Sequence, residues 1–317
     1  MRKALISGIT GQTGAYLAHY LVKSGYHVIG GSRDSGSANL ERLRALRILN
    51  EVEIVSLAPA DFRSVLQAIR TFQPNEIYYL AGQTSVGLSF EQPFESFESI
   101  AIGTLNFLEA IRILELDCRF FNAGSTECFG ESTDLVITEE SAMKPISPYA
   151  VAKATSFWIT RNYRKSYGLF ACTGLLSNHE SPLRPTRFVT SKIVQSIRSI
   201  QMGTQAYLEL GNLNIARDWG WAADYVDAIY RMTTASQADD YIIATGTTHS
   251  LIDLIEKLCR MADLEPTKII KTDPKLLRPS DLSTATLSAD KIKRDLNWTA
   301  KTDFSLLVSK LFKGDLF

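Results

Sequence analysis

Ala4-Leu-Ile-Ser7 runs at once into Gly8-Ile-Thr-Gly-Gln-Thr-Gly14, and from Tyr16 to Lys23 apolar residues recur at helical spacing. The uncharged run before Gly8 reads as a short buried strand, and Gly25 as the stop of the helix that follows the loop. Strand, glycine loop and helix in that order are the context of a dinucleotide fingerprint. Glycines permit the tight turn and let backbone approach a pyrophosphate, which then sits at the helix N-terminus. Gly8, Thr10, Gly11, Gln12, Thr13 and Gly14 are therefore candidate cofactor-binding residues.

Further strand and helix signals alternate outward from this unit. His27 to Gly31 reads as a strand ending in Ser32-Arg33-Asp34-Ser35. At this point a carboxylate would accept from a ribose 2′-hydroxyl and an arginine would accommodate a 2′-phosphate. Arg33 points to NADP and Asp34 to NAD, with a solvated loop as the plain alternative. Glu53 to Leu57 (strand), Phe62 to Phe72 (helix), Glu76 to Ala81 (strand) and a long helix between about Pro93 and Leu114 continue the pattern. The fold class is α/β, a doubly wound parallel (Rossmann) sheet with a smaller C-terminal α/β substrate lobe. The alternation loses its regularity after Asn178. Residues 1–178 are read as the dinucleotide-binding domain and 179–317 as the lobe, with 218–235 packing back on the first domain.

The chemistry concentrates between Gly124 and Lys153. Cys118-Arg-Phe-Phe-Asn122 reads as a buried strand that ends at a turn, Ala123-Gly124, and delivers Ser125-Thr126-Glu127 to the carboxyl edge of the sheet. Open parallel sheets bind ligands at that edge. Tyr149-Ala-Val-Ala-Lys153 has the i, i+4 spacing that sets a phenol and an ammonium on one helix face. A lysine beside a phenol favours phenolate, which can take a proton from a sugar hydroxyl. Taken alone, the pair also fits two ordinary helix-surface residues.

Composition narrows the classes further. The 34 basic and 34 acidic residues balance, so no global field draws the chain to nucleic acid or an anionic membrane. No apolar run is long enough for a membrane span or a signal h-region. Cys118, Cys128, Cys172 and Cys259 are scattered without metal-site spacing, as expected of reduced core thiols in a cytoplasmic protein. No metal site is expected, and Trp219, Trp221 and His179 read as structural.

The glycine spacing G-x-x-G-x-x-G is similar to that of extended short-chain dehydrogenases/reductases. With Leu80-Ala-Gly-Gln-Thr-Ser-Val86, Ser147-Pro-Tyr-Ala-Val-Ala-Lys153, Asn178-His-Glu-Ser-Pro-Leu-Arg184, Phe188-Val-Thr-Ser-Lys192, Leu210-Gly-Asn212, Arg217-Asp-Trp-Gly220 and Arg278-Pro279, nearly the whole chain resembles the GDP-mannose 4,6-dehydratases. The resemblance implies an internal redox elimination. Tyr149 takes the C4 hydroxyl proton as hydride passes to NADP. Glu127 takes the C5 proton as the C6 hydroxyl leaves as water, and hydride returns to C6. Ser125 binds the C4 oxygen, and Lys153 orients the ribose. It further implies that Leu80, Ala81 and Gln83 run beside the cofactor, that Ser85, Asn178, Val189, Lys192, Gly211, Arg217, Arg278 and Asp281 bind the GDP-sugar, and that the chain forms a homodimer or homotetramer.

The pattern is not matched everywhere. Ser125 stands where the family usually has Thr, Thr13 and Ala58 where it has Asp, Ser191 where it has Arg, Asp281 where it has Glu, and Asp34 where it has a second Arg. These changes leave NAD as a second cofactor candidate and a GDP-linked manno-heptose as a second substrate. Other readings are a reductase or epimerase of GDP-4-keto sugars, to which Glu127 is superfluous, and a non-catalytic dinucleotide-binding protein.

Overall fold

The computed structural model describes residues 1–277, 279 and 286–317. Arg278 and Asp281, two of the expected substrate ligands, lie outside them. The frame is a seven-stranded parallel sheet of β1 (Lys3–Ser7), β2 (His27–Ser32), β3 (Val52–Ser56), β4 (Glu76–Tyr79), β5 (Arg119–Ser125), β6 (Ala171–Leu176) and β7 (Tyr241–Ile243). In space the order is β3-β2-β1-β4-β5-β6-β7, so the chain reverses direction across the sheet between β1 and β4. That reversal opens a crevice at the carboxyl ends of the two strands, and Gly8 sits at the end of β1.

Both faces of the sheet are covered, which is why its central strands carry runs of buried apolar residues rather than an alternation with polar ones. Ala4 and Ile6 of β1 join one core with Leu17, Leu21, Tyr225 and Ile229. Leu5, between them, faces the opposite core with Ile29, Val65, Ile69, Ile77 and Phe107. The longer helices are α1 (Gln12–Lys23), α2 (Phe62–Phe72), α3 (Gly103–Ile113), α4 (Pro148–Tyr167), α5 (Val189–Gln201), α6 (Ala222–Thr234), α7 (Leu251–Ala262) and α8 (Phe304–Lys313). A third core, holding Ile193, Ile197, Leu210, Trp219, Trp221, Leu254, Leu258 and Leu311, belongs to the smaller lobe.

Two local readings change and one gains detail. Ala123 and Gly124 are not a turn: they remain in β5, paired with Gly174 and Leu175, and the strand runs to Ser125. Partner strand β6 continues past them, so the ladder continues too. The long helix expected from Pro93 is present and continuous, with one π-turn over Glu98–Ile102 set between Pro93–Phe97 and α3. A further helix, Val86–Glu91, precedes it. Residues beyond 179 are not confined to the lobe, since β7 adds the sheet's edge strand beside β6 and Ile292 and Trp298 enter the first core.

The edge strand is fixed by charge. Asp240, just before β7, receives both terminal nitrogens of Arg164 on α4 and the Thr173 backbone N–H at 2.9 Å. Both ionic side chains are largely buried. Removing one member of such a pair strands a buried charge. Asp240→Ala is expected to cost about 3 kcal/mol in urea unfolding; an unchanged midpoint would show that the edge strand does not depend on this pair.

Candidate active site

The site grows from the junction of β5 and α4. Ser147 caps α4 by accepting from the Ala150 N–H at 3.1 Å, and Pro148 fills the first helical position, where its missing N–H costs nothing. The buried stripe of α4 is Tyr149, Lys153, Ser156 and Phe157, Thr160 and Tyr163, a 3–4 spacing that lays the helix on the sheet. Tyr149 and Lys153 are thus the first two members of the packing face. They are not surface residues.

Lys153 is 5% exposed, and its Nζ donates to the Ala123 carbonyl of β5 at 2.6 Å. Burial lowers its pKa to about 8, so its charge is lost above that pH. Nζ stands 5.8 Å from the centre of the Tyr149 ring. The expected lowering of the phenol pKa is not found. Burial raises it above its ordinary value, a hydrogen bond with Ser125 and the charge of Arg184 pull it down, and Cys128 and Glu127 push it up. Lys153 spends its proton on a carbonyl instead.

Ser125 ends β5 and its Oγ also accepts from the Glu127 N–H at 3.2 Å, opening a single 3-10 turn over Thr126–Phe129. That turn carries the Glu127 carboxylate past the strand end, and Arg217 Nε lies 4.0 Å from its Oε1. Ser125, Glu127 and Tyr149 are therefore assembled at one place, with Arg217 arriving from the lobe. Arg217 belongs to a short antiparallel pair, Ala216–Arg217 with His249–Ser250. Next to it, buried Asp218 accepts the N–H groups of Thr245 and Gly246 at 2.9 and 2.8 Å, which ties this segment to the loop before His249.

The glycine loop has a cradle shape with separable causes. Gly8 has φ +91°, and a Cβ there would meet Ala81 N at 2.7 Å; at Gly14 it would meet Gly8 O at 2.3 Å. These two glycines serve strand–loop and helix–loop contact. Gly11 is exposed, and its Cβ would find only Gly8 O at 3.3 Å. The loop therefore keeps open room directly at the amino end of α1, where N–H groups have no helical acceptor. These residues fit a dinucleotide pyrophosphate.

Several expected side chains are occupied elsewhere. Gln12 donates to His179 O at 3.0 Å, and Thr13 Oγ1 lies 2.8 Å from His179 Nε2, so the loop contributes backbone there while its side chains grip the segment at 178–181. Gln83 bonds back to Ser85 O at 2.8 Å, and Ser85 caps the helix at Val86. The space at Gly211 is filled by the Leu276 backbone, whose carbonyl would lie 2.5 Å from a Cβ. Arg33 is surface-exposed and paired with Glu95 at 3.3 Å. Asn178 lies on the short strand Asn178–Glu180, paired with Trp219–Trp221; Val189 and Lys192 lie in the first turn of α5.

One site residue carried no role in the sequence reading. Arg184 is largely buried, 3.0 Å from Glu180 Oε2, 3.0 Å from His179 O and 4.0 Å over the Phe188 ring, and its charge reaches Tyr149. The signal was an arginine two residues after a proline that ends a polar strand.

Sequence and structure comparisons agree with this geometry. A model of the family described as GDP-mannose 4,6 dehydratase matches residues 5–311. The chain is 38% identical to a GDP-mannose 4,6 dehydratase of Drosophila melanogaster, over 99% of this chain and 86% of that one. It is 36% identical to a GDP-mannose 4,6-dehydratase of Yersinia enterocolitica, over 100% and 94%. Among solved structures, a dTDP-glucose 4,6-dehydratase from Bacillus anthracis in complex with NAD superposes with TM-score 0.85 at 20% identity, covering 99% of this chain and 96% of that one. A UDP-glucose 4-epimerase from Thermotoga maritima superposes with TM-score 0.87 at 20% identity, covering 98% of each. The two structures share the fold. The chain belongs to the GDP-mannose 4,6-dehydratase family.

The glycines separate in a stability test. Gly14→Ala is expected to lower the melting temperature sharply because backbone must move, whereas Gly11→Ala melts close to the wild type. Equal losses at both positions would contradict the division of roles.

Proposed function

We propose that the protein is a GDP-mannose 4,6-dehydratase that works with NADP. The observation that carries this reading is the meeting of Tyr149, hydrogen-bonded to Ser125, with Glu127 two residues further on. An alcohol oxidation needs the first pair, and only an elimination needs the second base. When bound, the oxidised nicotinamide supplies a hydride acceptor and a positive charge of the kind that favours phenolate.

This chain's residues then have distinct work. Tyr149 accepts the C4 hydroxyl proton while Ser125 holds the same oxygen. The C4 ketone acidifies C5. Glu127 removes the C5 proton, and the C6 hydroxyl departs as water. Hydride returned to C6 and a proton returned to C5 leave the 4-keto-6-deoxy sugar, so the net change is loss of one water. Lys153 holds the ribose of the cofactor. Gly8 to Gly14 with Leu80, Ala81 and Gln83 form its bed. Arg217, Lys192 and Asn178 suit the substrate pyrophosphate, a planar guanidinium and an ammonium being matched to its oxygens. Ser85, Val189 and Gly211 complete the sugar-nucleotide side.

The cofactor choice follows from the loop after β2. Asp34 spends its carboxylate on its own turn, accepting from Gly36 N at 2.9 Å and from Ser37 Oγ at 2.7 Å. Arg33 remains to face a 2′-phosphate. Its exposed contact with Glu95 is worth little and yields to a doubly charged anion.

The assembly we propose is a homodimer. Helices α3 and α4 share an apolar groove of about 540 Å³ lined by Leu105, Val151, Ala154, Trp158 and Ile159. Val151 and Trp158 are 43% and 54% exposed. A second copy of the same face is a self-complementary partner, as a two-fold interface requires. The four cysteines are free and buried, and no described helix is long and apolar enough to cross a membrane. Free thiols suit the reducing cytoplasm.

Incubation with GDP-mannose and catalytic NADP, followed by mass spectrometry, is expected to show loss of one water with no net cofactor consumption; an unchanged sugar would reject the reading. Glu127→Gln should lower turnover by about 10²–10⁴-fold, and a variant with near-wild-type turnover would remove Glu127 from the mechanism. NADP affinity should hold below pH 7 and fall towards tenfold per unit above about 8, where Lys153 loses its proton; Lys153→Met should flatten that profile. Trp158→Glu should yield monomers by light scattering, and intact dimers would place the interface elsewhere.

A further inference from the structure

His179 is not a ligand in the proposed mechanism, yet it stands between its two halves. Its Nδ1 lies 3.0 Å from the Ser177 carbonyl oxygen, which can only accept, so Nδ1 carries the proton. Nε2 is then an acceptor, and the Thr13 hydroxyl donates to it at 2.8 Å. The ring stacks on Tyr225 of α6 with centroids 5.1 Å apart, and the Tyr225 hydroxyl meets Ser177 Oγ at 2.5 Å. Both ring nitrogens and one face of the ring are thereby held.

The link has parallel members. Gln12 donates to His179 O at 3.0 Å and accepts from Ser181 Oγ at 2.7 Å. Arg42 donates to Thr10 O and to Leu183 O, each at 2.8 Å. Residues 10–13 of the glycine loop and 179–183 of the lobe are therefore held as one body. The first set opens the helix that faces the cofactor. The second lies between Asn178 and Arg184.

We infer that Thr13 and His179 form a positioning pair that couples the cofactor loop to the substrate strand, so that an occupied loop orders Asn178 and Arg184 for the nucleotide-sugar. The inference rests on the glycine loop being the cofactor site. Thr13 makes the link neutral. A carboxylate at that position would draw a proton onto the ring, whereas the hydroxyl supplies a hydrogen bond without a charge. Burial and the Arg184 charge lower the ring's pKa to about 4. The charged or titratable groups around it are Arg184 and Glu180 from its own segment, Tyr16 of α1, Tyr225 of α6, and Asp218 through Ser177.

The test is calorimetric titration of GDP into apo and NADP-saturated protein for wild type, Thr13→Ser and Thr13→Val. NADP should tighten GDP binding to wild type by at least about fivefold. Thr13→Ser should keep that factor and Thr13→Val should bring it near one. In ¹⁵N-histidine spectra of wild type, His179 Nε2 should stay unprotonated from pH 5 to 8. Full coupling in Thr13→Val, or a His179 that protonates above pH 5, overturns the inference while leaving the cofactor reading intact. A wild type that binds no NADP removes that reading and the inference together.

Discussion

A lysine ammonium buried against a strand carbonyl sets the rest of the site. Lys153 Nζ donates to Ala123 O at 2.6 Å and thereby pins the amino end of α4 to the carboxyl end of β5. Tyr149 is one turn earlier on the helix, and Ser125 two residues later on the strand. Their meeting is a consequence of this single junction together with the Ser147 cap. The bond is maintained at a cost, since burial lowers the ammonium's pKa to about 8. A group so destabilised gains from additional acceptors, and ribose hydroxyls are of that kind. The same environment keeps the Tyr149 phenol protonated at rest. Under the proposed mechanism Tyr149 is therefore assembled but not ionised until the charge of a bound cofactor favours phenolate.

The lobe is joined to this junction at two places. Asp218 anchors the loop at 245–247 so that Arg217 approaches Glu127, and His179 joins the segment after β6 to the glycine loop. The residues proposed for the cofactor and those proposed for the substrate thus share hydrogen bonds. Trp219 and Trp221 lie in the lobe's core, on the short strand that follows Arg217 and pairs with Asn178–Glu180.

Much of this was legible in the sequence. Apolar runs separated by helical periods dictated the parallel sheet, and the i, i+4 spacing of Tyr149 and Lys153 placed both on one face of a helix. Helix Phe62–Phe72 was readable to the residue because its apolar stripe is strong and Asp61 caps it. What the sequence did not show were directions and competition. Polar side chains in a loop look available, but Gln12, Thr13, Gln83 and Ser85 each satisfy a neighbouring backbone or side-chain group first. The strand character of Ala123-Gly124 depends on β6, more than 45 residues away in the chain and invisible to local propensity. The π-turn at Glu98–Ile102 has no sequence signature of comparable strength. The raised pKa of the Tyr149 phenol was not legible either, because its largest cause is burial, which depends on packing distant in the chain.

Among the family departures, the structure gives a physical account of two. Thr13 makes a neutral hydrogen bond to His179, and Asp34 closes its own turn by accepting from Gly36 N and Ser37 Oγ. Nothing in the structure explains Ser191, whose hydroxyl donates to Arg184 O at 3.0 Å. The central claim is that oxidation, elimination and reduction occur on one sugar at the β5–α4 junction. It is tested most directly with GDP-mannose deuterated at C4 and catalytic NADP. The account predicts a product one water lighter that carries the deuterium on C6. Deuterium retained at C4, or released into the cofactor pool, would contradict it.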